Sequence, residues 1–355
     1  MFTYPVFGGA AALTAEWALS NSSPLPSGNN FKYHSLSSLD ATPTVTELYS
    51  AAMPNVSCPC IATDGTHMFL GGAGGGALHQ YKWNGSALVS VLVSAFGGNQ
   101  ILRGIFCPQI PANVVAYVGA EAFGHGLARL TYQDVAPYSY GAKTTYELGN
   151  DTYEYMMDFR VSVADPQGYG DTIVTYPRTN SHDIRSFSFS GSTIVTHSSI
   201  AASTTAATGR VAWDRDTGLI AEVATSGTAL RLLQLNMSTR ALTLIGTATL
   251  PVSVRCIGLA KGFLVAYGTD STTRTYTISG TTLNLVDSLA IGFGTNVYAS
   301  HTSPFTNTVY VRGSTANRIL RISNVGAIAN IASMGTMGGI DQNGLSFSRA
   351  ALPTL

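Results

Sequence analysis

Residues 252–267 read Val-Ser-Val-Arg-Cys-Ile-Gly-Leu-Ala-Lys-Gly-Phe-Leu-Val-Ala-Tyr, and the run continues as Gly-Thr-Asp-Ser-Thr-Thr-Arg-Thr-Tyr-Thr-Ile-Ser-Gly-Thr-Thr-Leu-Asn-Leu-Val-Asp-Ser-Leu-Ala to residue 290. Four short strands are predicted in it, at 254–259, 262–267, 273–278 and 283–289. Lys261-Gly262, Gly268-Thr269-Asp270-Ser271 and Ser279-Gly280-Thr281 supply the turns. The strands are rich in β-branched and aromatic residues, which suit a pleated and packed surface, and turn formers separate them. Four strands joined in sequence by tight turns make one blade of a β-propeller.

The rest of the chain repeats that blade. Its outer half is a strand with apolar residues two apart, a polar turn, and a second apolar strand. Tyr81 and Trp83, Leu130 and Tyr132, Phe187 and Phe189, Leu233 and Leu235, Tyr276 and Ile278, and Leu320 and Ile322 each open such a unit. The units lie roughly 43 to 57 residues apart, the period of a propeller. Inner strand pairs are predicted between them, at 56–61 with 67–71, 102–107 with 114–118, 159–164 with 172–176, 210–213 with 219–224, 254–259 with 262–267, and 296–300 with 308–312. That makes six whole blades. Residues 31–36 and 45–48 read as an outer pair without an inner one, and 339–351 as an inner pair without an outer one, with Asn343-Gly344 as its turn. Joined, they complete a seventh. The expected fold is therefore all-β, a seven-bladed β-propeller closed by N-terminal strands that complete the C-terminal blade, which removes the free edges of an open sheet.

Residues 1–28 stand outside the repeat as an N-terminal arm, and 29–355 form the propeller. The arm carries Phe2, Tyr4, Phe7 and Trp17, with a short helix expected near Thr14–Leu19, capped by Thr14, and a Pro/Ser linker at 22–28. An apolar arm needs a surface to bury against. That surface is either its own propeller or a neighbouring subunit, and the four aromatic residues are the candidate partner contacts.

Composition narrows the function. The formal net charge is zero and 11% of residues are charged, so the basic surplus a phosphate-backbone binder needs is lacking and no direct nucleic-acid contact is expected. Little net charge favours association, including with copies of the same chain. The N-terminus lacks the basic start and apolar core of a signal peptide, and no run reaches the length of a membrane span. The four cysteines, Cys58, Cys60, Cys107 and Cys256, fall on predicted innermost strands without zinc-ligand spacing, and they read as small buried hydrophobes. There is no Gly-x-Ser-x-Gly elbow, no Walker loop and no His-Glu-x-x-His. The seven histidines are scattered, and no catalytic residue, metal site or cofactor is called for.

One pattern suggests a site. Arg103, Arg160, Arg210 and Arg255 are each expected near the start of an innermost strand in four consecutive blades. Innermost strands line the central channel, so these guanidiniums would crowd one rim. They would either pair across blades with carboxylates such as Asp158 and Asp214, or bind an anion such as a carboxylate, a phosphate or an acidic loop.

Two resemblances carry expectations about function. The repeats at 230–290, such as Leu232-Leu-Gln-Leu-Asn-Met-Ser-Thr-Arg-Ala-Leu-Thr-Leu-Ile245, resemble the lactonase-type seven-bladed propeller. That resemblance implies a channel metal held by acids, Asn or His, and no matching set is found at equivalent positions. The turns of Tyr276-Thr-Ile-Ser-Gly-Thr-Thr-Leu-Asn-Leu285 and Tyr81-Lys-Trp-Asn-Gly-Ser-Ala-Leu88 also resemble those of virion propellers of tailed bacteriophages. The second resemblance, with the low charge and the arm, implies a non-enzymatic structural component of a tail, nozzle or fibre. Such a protein would be made in the host cytoplasm, reside in the virion, and contact other virion proteins and copies of itself. The alternatives are a soluble lactonase-type hydrolase and a carbohydrate-binding propeller.

Overall fold

The structure, a computed structural model, describes residues 16–21, 31–36, 45–51, 56–61, 67–72, 77–95, 101–106, 113–121, 126–133, 139–147, 154–160, 172–177, 183–190, 193–201, 211–214, 217–224, 226–293, 297–302, 308–313, 317–334 and 345–348. Among the described residues the regular structure is all strand. The chain begins with β1 (Glu16–Asn21), β2 (Phe31–Leu36) and β3 (Val45–Ala51). The first full blade is β4 (Val56–Ile61), β5 (His67–Gly72), β6 (Ala77–Trp83) and β7 (Leu88–Ala95). The second is β8 (Ile101–Phe106), β9 (Asn113–Glu121), β10 (Gly126–Gln133) and β11 (Ser139–Glu147). The third is β12 (Glu154–Arg160), β13 (Thr172–Pro177), β14 (Asp183–Ser190) and β15 (Thr193–Ala201). The fourth is β16 (Val211–Trp213), β17 (Leu219–Val223), β18 (Ala229–Leu235) and β19 (Leu242–Thr249). The fifth is β20 (Val254–Ala260), β21 (Phe263–Gly268), β22 (Thr272–Ser279) and β23 (Thr282–Ala290). The sixth is β24 (Val297–Thr302), β25 (Thr308–Gly313), β26 (Asn317–Ile322) and β27 (Ile328–Met334), and β28 (Leu345–Ser348) ends the series.

These strands form seven four-stranded antiparallel sheets among the described residues, each a meander, and the innermost strands of neighbouring sheets touch one another all the way round from β4 through β8, β12, β16, β20 and β24 to β28 and back to β4. The seven-bladed propeller expected from the repeat is the fold. Its closing blade, in the order β28-β1-β2-β3, differs from expectation in detail. One strand, not two, comes from the C-terminal end, and β1 supplies the second. Trp17 pairs with Ser348 on one side and Ser35 on the other. Residues 16–21 are thus a strand where a helix end was expected, and part of the segment set apart as an arm belongs to the closing blade. The reason lies in pairing. A short segment with Trp17 and Leu19 two apart has unpaired strands on both sides, and two ladders outweigh one turn of helix. Phe2, Tyr4 and Phe7 lie outside the described residues.

The core sits between blades, so each inner strand buries both faces. On β21, Leu264 and Ala266 pack toward the fourth blade with Leu232, Ile257 and Leu259, whereas Val265 and Tyr267 pack toward the sixth with Val309, Val311 and Phe293. Likewise Leu230 and Leu232 of β18 face the fifth blade, and Leu233 and Leu235 face the third, with Ile184 and Trp213. Burial on two faces explains why inner strands read as nearly continuous apolar runs. The ring of Tyr267 meets that of Phe293 edge-on at 5.9 Å in the joint to the sixth blade.

Every blade also carries an irregularity where the third strand meets the fourth. In the fifth blade Thr275 pairs with Asp287 and Tyr276 with Leu285, which leaves Val286 as an extra residue. A bulge of this kind frees groups from the ladder and bends the strand, and the next blade uses them. The Thr275 hydroxyl donates to the Gly326 carbonyl oxygen at 2.6 Å, and Asp287 accepts the Ile328 N–H at 2.7 Å. The joint from third to fourth blade repeats the pair. The Ser186 hydroxyl donates to the Arg240 carbonyl oxygen at 2.6 Å, and the Ser198 hydroxyl oxygen accepts the Leu242 N–H at 3.0 Å. Between fourth and fifth blades the equivalent residues are Leu232 and Gly246, and Thr281 approaches where a Cβ on Gly246 would stand. Thr275→Val keeps shape and removes the donor, stranding a carbonyl against a fully buried site. The expected loss is about 1–3 kcal/mol in urea unfolding, and an unchanged midpoint would show that the joint does not depend on this bond.

Candidate functional site at the channel mouth

Each innermost strand starts on the same face of the ring, because the chain returns there from the outermost strand of the blade before. Five of these strands slip register, leaving Ser57, Arg103, Met157, Arg255 and Tyr298 at bulges. Arg103 and Arg255 therefore share one position at the channel mouth, on the second and fifth blades. The Arg255 side chain is exposed and makes no ion pair among the described residues. Arg160 is placed elsewhere. It forms the last rung of β12, opposite Thr172, and so lies toward the other face. The expected rim assumed a strand over 159–164, whereas pairing of Tyr155 with Tyr176 and Phe159 with Ile173 starts the strand at Glu154. Arg210 lies outside the described residues. The structure thus brings two of the four arginines to one rim.

The turns between second and third strands open on the same face. In the fifth blade the Thr269 N–H donates to the Ser253 carbonyl oxygen at 2.9 Å, fastening the turn to the start of β20. Asp270 accepts from both terminal nitrogens of Arg274, at 3.1 and 2.6 Å, and from the Thr272 N–H at 3.1 Å. The Arg274 hydrogen bonds hold the Asp270 carboxyl below the usual carboxylate range, against a small opposing effect of burial, and raise the guanidinium in return. A carboxylate held ionised in this way is a weak base, so Asp270 shapes the mouth and does not take protons there.

No protein-family model and no curated protein matches the sequence. Solved structures do match the whole ring. A proposed 6-phosphogluconolactonase from Bacteroides fragilis shares 11% identity over 96% of this chain and 99% of its own, with a TM-score of 0.64. A second, from Bacteroides uniformis, shares 13% identity over 94% and 99%, with a TM-score of 0.65. The periplasmic gluconolactonase of Pseudomonas aeruginosa shares 13% over 94% and 99%, with a TM-score of 0.63. The likeness is one of fold. It corrects the expectation of a non-enzymatic virion component, since three of the proteins matched along nearly their full length are named for lactone hydrolysis. The likeness to phage virion propellers rested on turn style, and such turns are generic to β-meanders.

The lactonase resemblance implies a channel metal. Among the described residues no group of three or more His, Cys, Asp or Glu is placed to hold an ion. Cys256 is a buried thiol whose Sγ lies 3.8 Å from the Ile257 carbonyl oxygen.

Sequence reasoning missed a second basic series near the mouth. The residue before the outer irregularity's first rung is basic in all seven blades: Lys32, His79, Arg129, Arg185, Arg231, Arg274 and Arg318. Arg231 pairs with the fully buried Glu222 at 2.9 Å and also donates to the Ala201 carbonyl oxygen of the preceding blade at 2.8 Å. His79 is half-buried beside Tyr81, and burial lowers its pKa. The signal was a basic residue two before the first apolar residue of most outer units. Arg231 ties two blades together and Arg274 fastens a turn, so ion pairing from third strands is seen among the described residues.

Proposed function

We propose that the chain is a lactonase-type hydrolase that receives a sugar lactone at the channel mouth, with Arg255 and Arg103 as contacts for its anionic group. The observation that carries this reading is the whole-length likeness to proteins named as lactonases. The exposed guanidinium of Arg255 on that face supports the placement. Lactone hydrolysis adds water to the ring carbonyl, breaks the carbonyl carbon to ring oxygen bond, and leaves a carboxylate and a hydroxyl. A guanidinium fork suits both a phosphate on the substrate and the carboxylate of the product.

The test is proton release at constant pH from gluconolactone, with and without a 6-phosphate, in the presence and absence of divalent cations. The expected result is hydrolysis above the spontaneous rate. Arg255→Met is expected to raise KM for the phosphorylated lactone about ten- to a hundredfold, the worth of one charge-assisted hydrogen bond, and to leave the neutral lactone nearly unaffected. No acceleration of either lactone would overturn the activity. Acceleration with an unchanged KM in the variant would overturn the placement alone.

A further inference from the structure

We propose that the outer joint between the third and fourth blades is an acid-sensitive seam, opened by protonation of His197. The residue occupies the bulge of β15. Ser186 pairs with Ser198 and Phe187 with Thr196, so His197 has no rung of its own. Its Nε2 lies 2.6 Å from the hydroxyl of Ser188, a residue of the paired strand β14 that is 5% exposed. With the proton on Nδ1, the ring accepts from that hydroxyl and the buried group is satisfied. Protonation turns Nε2 into a donor, and the serine hydrogen must leave the contact.

The facing blade makes that change costly. Its turn 236–241 sits over the bulge, held by the bond from Ser186 to the Arg240 carbonyl oxygen and by the bond from the Leu242 N–H to Ser198. Arg240 occupies a left-handed conformation, φ 60°, where the sixth blade's equivalent turn has Gly326 at φ 81°. Two bonds, both from the Ser186–Ser198 rung next to His197, thus hold a strained, cationic residue near the imidazole. The charged groups that face the seam are Arg240 and, where it reaches Ala201, Arg231 on β18, itself paired with Glu222. Asp183 and Arg185 on β14 alternate with Ile184 and Ser186, whose side chains meet the fourth blade, and so lie on the other face, and β19 carries none. Burial, and then the nearby Arg240 charge, lower the His197 pKa from its ordinary value.

The sign follows from linkage. A histidine with a depressed pKa in the closed state binds fewer protons there than in the open state, so closure is fully favoured above the ordinary pKa of about 6.5 and weakens as pH falls through it. If the open seam titrates normally, its population rises up to about tenfold between pH 7.5 and 5.5.

Amide hydrogen exchange of the full chain tests this. After correction for intrinsic chemistry, peptides covering 236–245 are expected to exchange up to about tenfold faster at pH 5.5 than at pH 7.5. Peptides covering 279–286, at the joint where Gly246 faces Thr281, serve as the control without a histidine. His197→Gln keeps an acceptor for Ser188 and should abolish the response. Arg240→Gly suits the backbone, removes the charge, and should shrink it. An undiminished acid response in both variants, equal responses at the two joints, or no response in the unmodified chain would each overturn the proposal.

Discussion

Replacing Arg231 with alanine is expected to cost about 3–5 kcal/mol of stability, because it removes the guanidinium paired with a fully buried carboxylate. The Glu222 side chain is 0% exposed, and Arg231 covers it from the third strand at 2.9 Å. The same guanidinium bonds Ala201, so the variant also loosens the joint to the third blade. The test is the urea midpoint at pH 7. The double variant Arg231→Met with Glu222→Leu should recover most of the loss, since removing both charges of a buried pair is often nearly neutral. A single-variant loss below about 1 kcal/mol would mean that Glu222 is well served without the arginine.

A chain stopped after Gly344 is expected to lose its cooperative unfolding transition altogether. The truncation removes β28, the innermost strand of the closing blade, and with it the four rungs from Leu345–Ser348 to β1 and the contacts to β4 and β24. What remains is a sheet edge on β1 and two blade faces built to be covered on both sides. The expected product binds hydrophobic dyes, lacks near-ultraviolet dichroism and aggregates. A peptide of residues 340–355 added in excess should restore the transition. A truncated chain that melts at the normal midpoint would show that the ring does not depend on this strand.

The sequence was most legible where turns are tight and strands follow at once. In the fifth blade the expected strands match β20 to β23 within two residues, and Lys261 and Gly262 both take positive φ, 51° and 78°, as a two-residue hairpin requires. Legibility fell where pairing partners are distant. Nothing local marks Glu16–Asn21 as a strand, since its neighbours come from residues 31–36 and from 345–348. Arg160 was misplaced because β12 lacks a tight turn to fix its register. The mouth was legible only in part. Arg103 and Arg255 were visible as basic residues at strand starts, but the register slips that put both at bulges arise from pairing with the second strand. The bond from Ser188 to His197 and the cation at Arg240 belong to two different blades, and no spacing in the chain announces that meeting.

The closing blade also sets an order of events during synthesis. Chains fold from the N-terminus as they emerge, yet β1, β2 and β3 are made first and can be completed only by β28, made last. For nearly the whole time of translation, six blades can stack one upon another while the first three strands keep an unfilled edge. The nascent protein thus carries an adhesive edge until β28 has left the ribosome. Cells that make it slowly, or make it without a chaperone to shield β1, would lose it to misassembly well before any stability measurement on the finished ring gave warning.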